Sequence, residues 1–459
     1  MPTLRELAAD VAARRIGAHE LVRESLRRVE KLDPDLGAVV ALRAEEALDE
    51  SQGLDAELAS GGEAGPLAGL PLLVKDMTDV TGMRTTFGSL VFAEAEPAIT
   101  DALVVRRLRA AGAIVVGKTN MPEFAAEGFT SNLVFGPTRN PWNPERTPGG
   151  SSGGSGAAIA AGMAAIATAT DGGGSVRIPA AYCGLFGLKP TNGVVGRDPI
   201  PDWIDYSTDG PLSTRADDLR VLLEVLAGPT PGDPTTTPRR PDDDRTIGRV
   251  IAVEQWAPDV TLPTATATVF ATALARFAEI FGVDPRSIRP SDVFDRNPED
   301  DWITIVGFEH ANMFGRRWFE EHRARLSPSG LSFLEGGLLV SPEEYIAARR
   351  RRFEFARRFD ELLGEDGLLL SPVMASDAIA AEGPAEGMTS NDLYVTVLQN
   401  ITGNPAVSLP AGAFPSGVPF GLQVTAPRFR DGLLLWIADR WEDAEGVPPT
   451  PPGYEPFGV

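Results

Sequence analysis

Gly149-Gly150-Ser151-Ser152-Gly153-Gly154 and Asp171-Gly172-Gly173-Gly174-Ser175-Val176-Arg177 are two glycine-rich stretches, each carrying serine. Ser151 and Ser175 lie 24 positions apart. Alone, the first stretch looks like a flexible linker. Its setting argues otherwise: the alanine-rich helical run Ala157–Gly162 follows at once, and Arg177–Pro190 continues in small and apolar residues, as a core segment would. Runs of glycine let backbone N–H groups turn toward one point, which suits a phosphate cradle or an oxyanion hole. A phosphate loop needs Gly-x-x-x-x-Gly-Lys-Ser/Thr between a strand and a helix, and neither stretch holds a lysine. An oxyanion hole needs a nucleophile beside its donors. Ser175 ends the glycine run, so the N–H groups of Gly172, Gly173, Gly174 and Ser175 can converge on a developing O⁻.

A serine nucleophile needs a base. The chain has three histidines: His19 at the start of an amphipathic helix, and His310 and His322 in a later helical region. None is accompanied by a Gly-x-Ser-x-Gly or an obvious aspartate partner, so each is expected to be an ordinary surface or partly buried residue. Of 42 basic residues, only Lys31, Lys75, Lys118 and Lys189 are lysine, and the other 38 are arginine. Arginine keeps its proton in a protein, whereas a buried lysine can lose it. Lys75 follows the apolar run Leu70-Pro71-Leu72-Leu73-Val74 and precedes Asp76. Desolvation there disfavours the ammonium form, as a base at neutral pH requires. The segment fits a strand-end lysine reaching for water equally well. Ser151 strengthens the first alternative, because it can pass a proton between Lys75 and Ser175.

The chain has 459 residues, enough for one large α/β body with an appended region, or for two domains. Its formal net charge of −22 repels phosphate backbones and anionic membranes, so neither nucleic acid nor membrane is expected as a partner. The single cysteine, Cys183, excludes an intrachain disulfide and a Cys-rich zinc site. The start, Met1-Pro2-Thr3-Leu4-Arg5-Glu6, carries charge and no apolar h-region, and a cytoplasmic enzyme is the default expectation.

Helical spacing of apolar residues marks residues 4–60 as helices. Leu70–Val74 and Ala113–Val116 read as strands around a helix at Asp101–Ala111, which suggests α/β architecture. Residues 229–246, rich in Pro, Thr, Asp and Arg, read as an exposed loop, and 247–360 as mostly helical, with Arg349–Arg352 forming a solvated helix face. Short apolar strands return at Leu368–Leu370, Ala406–Leu409 and Gly421–Val424, and Gly432–Glu442 closes as an amphipathic helix.

The chain closely resembles the amidase-signature family along nearly its whole length, as a single domain. The resemblance is carried by Gly65-Pro66-Leu67-Ala68-Gly69-Leu70-Pro71, Val74-Lys75-Asp76, Ala111–Asn120, the long block Gly149–Asn192, Asn400–Pro410 and Gly421-Leu422-Gln423. It implies a large mixed, twisted β-sheet of about ten or more strands, covered by helices on both faces. It also implies a Ser–cis-Ser–Lys triad: Ser175 as nucleophile, Ser151 as relay after a cis Gly150–Ser151 bond, and Lys75 as base. Asp171 and Arg177 match positions that brace the loop, and Ser152 matches a neighbouring hydrogen-bonding serine. One departure stands out. Position 172 is glycine where many relatives carry Thr or Ile, so a more flexible or more open oxyanion loop is expected.

No metal or organic cofactor is expected. In this family the pocket is built largely by variable segments, here 128–135 and 250–345, where Trp302, Phe308, Phe314, Trp318, Phe319 and Phe333 are expected as core with some lining an apolar pocket. The expected substrate is a small aryl or alkyl amide, with carbamates and esters open to the same attack. A homodimer is the one assembly entertained. The alternative is the glutaminase component of a tRNA-dependent amidotransferase, whose motif commonly reads Ser-Ile-Arg-Gln-Pro. Here it is Ser175-Val176-Arg177-Ile178-Pro179, which favours a stand-alone amidase.

Overall fold

Thr3 opens the first helix. Its hydroxyl accepts from the Glu6 N–H while the Glu6 carboxylate accepts from the Thr3 N–H, a capping box that starts α1 (Leu4–Ala12). α2 (Ala18–Leu36) follows, and β1 (Val39–Leu42) separates it from α3 (Ala44–Ala59). The helical reading of 4–60 omits β1, a four-residue strand without a buried/exposed alternation. β2 (Pro71–Lys75) is buried at every position, as a strand covered on both faces must be. α4 (Leu103–Ala110) returns the chain to β3 (Ile114–Thr119), parallel to β2. β1 lies antiparallel along β3, and that pairing makes it a strand.

The chain then forms a small ladder, β4 (Ser131–Asn132) with β5 (Gly136–Pro137). α5 (Gly153–Ala160) leads to β6 (Ile166–Ala167), which completes a four-stranded sheet of order β1-β3-β2-β6. The first glycine stretch is therefore no loop throughout: Gly153 and Gly154 are the first turn of α5. A Cβ on Gly154 would sit 2.5 Å from the Asn120 backbone N and O, so the glycines let helix and strand backbones touch.

β7 (Thr170–Asp171), α6 (Arg177–Cys183) and β8 (Phe186–Lys189) come next, and β9 (Thr208–Asp209) pairs antiparallel with β7. They are followed by β10 (Leu212–Ser213), α7 (Ala216–Leu226), β11 (Val250–Ala252), α8 (Thr264–Phe281) and β12 (Arg286–Ser287). The rest comprises α9 (Pro298–His322), α10 (Pro328–Leu339), α11 (Pro342–Leu363), β13 (Leu368–Pro372), α12 (Val397–Thr402), β14 (Ala406–Ala413), β15 (Pro419–Thr425) and α13 (Asp431–Glu445). Seven strands form a second sheet of order β10-β8-β14-β15-β13-β11-β12, parallel at β13-β11-β12 and antiparallel elsewhere. The mixed α/β architecture is as expected, but hydrogen bonding divides the expected sheet in two. α5 and α6 pack on each other at the junction, α5 against β2, β3 and β6, and α6 against β8, β14 and β15. One continuous apolar core runs through both sheets.

The computed structural model describes residues 2–238, 244–254, 256, 261–384 and 395–458. Residues 239–243 of the expected exposed loop lie outside the described residues. Within its described part Asp233 is buried and pairs with Arg197. In the Arg349–Arg352 run, expected as a solvated face, only Arg350 is solvated. Arg349 pairs with Asp205 and Glu309, Arg351 with Asp301, and Arg352 with Asp205, so the run clamps α11 to α9 and to the 198–207 loop. Among the described residues, no helix is long and apolar enough to cross a membrane.

Candidate active site

Three of the four lysines are fully buried, and only Lys31 is exposed. Lys118 closes onto Asp76 (3.2 Å), the Arg84 carbonyl (2.7 Å) and Thr85 Oγ1 (2.8 Å). Lys189 closes onto the Pro190 carbonyl (2.8 Å) and Asn192 Oδ1 (2.9 Å), and burial holds it down at about 7. Both are enclosed by acceptors. Lys75 is different. It ends β2, its backbone N–H donates to Thr168 Oγ1, and its Nζ lies 2.8 Å from both Ser151 Oγ and Thr170 Oγ1. Burial brings it down to about 7, although the carboxylates of Asp171 and Asp209 pull the other way. The alternative of a strand-end lysine reaching for water is thereby removed.

Ser151 follows a cis Gly150–Ser151 peptide. Gly150 is required there because a Cβ would fall 2.5 Å from the Phe129 carbonyl oxygen. Ser152 Oγ is 3.3 Å from the Thr170 N–H, which it accepts, so it steadies the residue that faces Lys75. Ser151, Thr170, Gly172 and Ser175 line one cleft. Ser175 is 8% exposed, and its hydroxyl makes no hydrogen bond with a described residue.

The second glycine stretch is anchored by its carbonyls. Asn400 Nδ2 donates to the Asp171 carbonyl (2.9 Å), Trp302 Nε1 to that of Gly172 (2.8 Å), Thr396 Oγ1 to that of Gly173 (2.5 Å) and the Ile178 N–H to that of Gly174 (2.7 Å). In a trans peptide the N–H points opposite to the preceding C=O. The N–H groups of Gly172, Gly173 and Ser175 thus face away from those anchors and have no internal acceptor among the described residues. Gly174 departs from the expected donor set. Its N–H is donated to Asp171 Oδ1 at 2.8 Å, so it is spent on holding the loop.

Asp171 and Arg177 form a fully buried pair, with Arg177 Nε and Nη2 each bonding a carboxylate oxygen at 2.9 and 2.8 Å. Arg177 also reaches Gln399, Asn400 and Gln423. Burial would raise the Asp171 carboxyl, but Arg177, Lys189 and Asn400 hold it at about 2. Gly172 does not open the loop. A Cβ there would lie 2.5 Å from Trp203 Cε3, and one on Gly173 2.7 Å from Trp302 Cζ2. The two indoles, edge to face with centroids 5.5 Å apart, occupy the space that a larger residue 172 would fill.

The cleft walls come mostly from residues 77–79, 102–104 and 196–209. Its aromatic lining is Phe87, Phe124 and Trp203. Of the region 247–360, His310 reaches the lining, while Trp302, Phe314 and Phe333 stand behind it. The sequence pattern passed over His310, Thr170 and Asp209. His310 reads as an ordinary histidine because its cleft-side neighbours Phe124 and Asp202 are distant in sequence, and Asp209 reaches the cleft through the β7–β9 pairing, so neither had a local signal. Burial raises Asp209 to about 6, against the pull of Lys75, Arg197 and Arg107. Among the described residues, no group of three or more His, Cys, Asp or Glu side chains could hold a metal ion.

A family model described as Amidase matches residues 20–435. An acylamidase of Rhodococcus erythropolis is 31% identical over 451 residues, spanning 95% of this chain and 94% of that protein. The A component of the glutamyl-tRNA(Gln) amidotransferase of Chromohalobacter salexigens is 34% identical over 478 residues, spanning 96% of each. Among solved structures, a bacterial aryl acylamidase of the amidase-signature enzymes superposes with a TM-score of 0.87 at 25% identity over 96% of both chains. By this full-length match in sequence and in architecture, the chain belongs to the amidase family.

Proposed function

We propose that this chain hydrolyses amides by forming an acyl-enzyme on Ser175, with Ser151 as proton relay and Lys75 as base. The observation that carries it is the buried, low-pKa Lys75 amine 2.8 Å from Ser151 Oγ, on a cleft that Ser151 shares with Ser175. Thr170 Oγ1 accepts one N–H of neutral Lys75, which turns the nitrogen lone pair toward Ser151. As Ser175 Oγ bonds to the substrate carbonyl carbon, its proton passes to Ser151, whose own proton passes to Lys75. The N–H groups of Gly172, Gly173 and Ser175 stabilise the oxyanion. Protons return through Ser151 to the leaving nitrogen, the C–N bond breaks, and the amine departs. Water then attacks the acyl ester along the same route and frees the acid and Ser175. Asp171, Arg177 and Ser152 position these groups.

The substrate class is small aryl or alkyl amides, with carbamates and esters accepted by the same attack. In this reading the whole chain acts as one domain, with region 247–360 backing the pocket, without a cofactor, in the cytoplasm and as a homodimer. The identity with an amidotransferase A component supports glutamine as a second candidate. A glutamine carboxylate, however, finds the cleft guanidinium, Arg197, already held by Asp233, Thr235 and the Ile204 carbonyl. The test is turnover of p-nitroanilides, simple amides, carbamates and glutamine, with covalent labelling of Ser175 by a fluorophosphonate. Lys75→Ala retaining wild-type amide hydrolysis at neutral pH would sink the assignment, and ammonia release from glutamine only with a partner protein present would favour the second candidate.

A further inference from the structure

His310 is 2% exposed, yet neither ring nitrogen has a hydrogen-bond partner among the described residues. The ring lines the cleft, with Phe124, Phe314 and Phe333 around it at centroid distances of 5.1, 5.3 and 5.6 Å. Asp202 Oδ2 lies 3.0 Å from its Nδ1 without hydrogen-bond geometry, and Asp202 lines the same cleft. A buried imidazole with both nitrogens unpaired is costly, and the cost is removed by a bound group that completes its hydrogen bonds.

The backbone that presents Asp202 is braced. Asp198 pairs with Arg106 at 2.5 Å, the Ile204 N–H donates to buried Glu309, and Asp205 is held by Arg349 and Arg352. The backbone on both sides of Asp202 is therefore held in place. Asp79 and Asp209 face the same cleft without an ion-pair partner among the described residues, while Arg197 is neutralised by Asp233. The cleft that His310 lines thus carries uncompensated carboxylates, and its one lining guanidinium is spent.

We propose that Asp202 and His310 form a specificity subsite for a cationic, hydrogen-bond-donating group of the substrate, an ammonium or similar amine. Such a group donates to the Asp202 carboxylate and to the free imidazole lone pair, while the imidazole N–H turns to Asp202. A carboxylate there meets only like charge, and a methyl leaves both ring nitrogens unpaired. The proposal rests on the amidase reading of the same cleft and names its substrate class.

The test uses two matched amide series. In one, 4-nitroanilides of straight-chain acids of graded length end in ammonium, methyl or carboxylate; in the other, the same three groups end the amine half. The expected result, in one series, is a kcat/KM ratio of ammonium over methyl of about tenfold or more, with carboxylate poorest. In Asp202→Asn and in His310→Phe that ratio falls toward one. A ratio near one in both wild-type series overturns the subsite. A second readout needs no turnover: n-alkylammonium ions should protect Ser175 from fluorophosphonate labelling, and alkanoates of equal length should not. Turnover without discrimination leaves the amidase reading standing and removes the subsite. Protection by alkylammonium without turnover of any amide does the reverse.

Discussion

In the proposed mechanism Lys75 acts as a neutral amine, and burial lowers its value toward that form. Its value of about 7 sets the sign of the pH dependence: the ammonium form below that value has no lone pair for Ser151, so kcat/KM should rise with pH through an acid limb centred near 7. Asp209 favours the ammonium form of Lys75, so Asp209→Asn should move that limb to lower pH. A pH–rate profile of both proteins checks this, and an unmoved limb would remove Asp209 from the electrostatics of the base. Lys75→Arg keeps a cation that cannot be deprotonated, and is expected to cost about 10²–10⁴-fold in kcat at pH 8 with Ser175 still in place. At this scale the sequence was legible where a residue type was scarce: lysine among so many arginines pointed to Lys75, though Lys118 and Lys189 proved equally buried. It was silent where a role depends on orientation. Nothing in three consecutive glycines says that the N–H of Gly174 turns to Asp171 while its neighbours do not.

Two elements hold the glycine loop from outside: α9 through Trp302 and α12 with its N-cap Thr396. Trp302→Phe keeps an aromatic ring but removes the bond to the Gly172 carbonyl. The expected result is a fall in kcat of about tenfold with KM little changed, since oxyanion donors act in the transition state. Gly172→Thr restores the residue type common among relatives, but its Cβ meets Trp203 at 2.5 Å. It should lower stability by about 1–3 kcal/mol, read as a drop in Tm, and Trp203→Ala in the same chain should recover part of it. An unchanged Tm for Gly172→Thr would mean that the indole moves aside freely. Elements were legible where apolar runs were long, as in β2, β3, β13 and β15. β1, β7 and β9 were not, because strands of two to four residues exist through their partners rather than their own pattern.

Across the whole molecule the candidate site straddles the two sheets. Lys75 ends a strand of the four-stranded sheet, whereas the Ser175 loop is tied through Arg177 to Gln423 on β15 of the seven-stranded one. The Asp171–Arg177 pair therefore belongs to the fold as much as to the site. Arg177→Met leaves a buried carboxylate unpaired and should cost about 3–5 kcal/mol. The pH sign follows from Asp171: its folded value of about 2 lies below the unfolded one, so the stability it contributes is present above about pH 4 and lost as pH falls through 2. The gap in Tm between wild type and variant should accordingly be wide at pH 7 and narrower near pH 3. A gap independent of pH would assign the loss to packing. The overall family was legible in the sequence because its motifs are contiguous; the division into two sheets was not, because it depends on which strands share hydrogen bonds. With the proposed base on one sheet and the loop of the proposed nucleophile tied to the other, turnover serves as a gauge of their alignment. A slip of one sheet on the other by a fraction of an ångström misaligns the relay before any strand is lost. On heating, the rate should therefore fail at a lower temperature than the far-ultraviolet dichroism, and cross-linking the two sheets should bring the two transitions together.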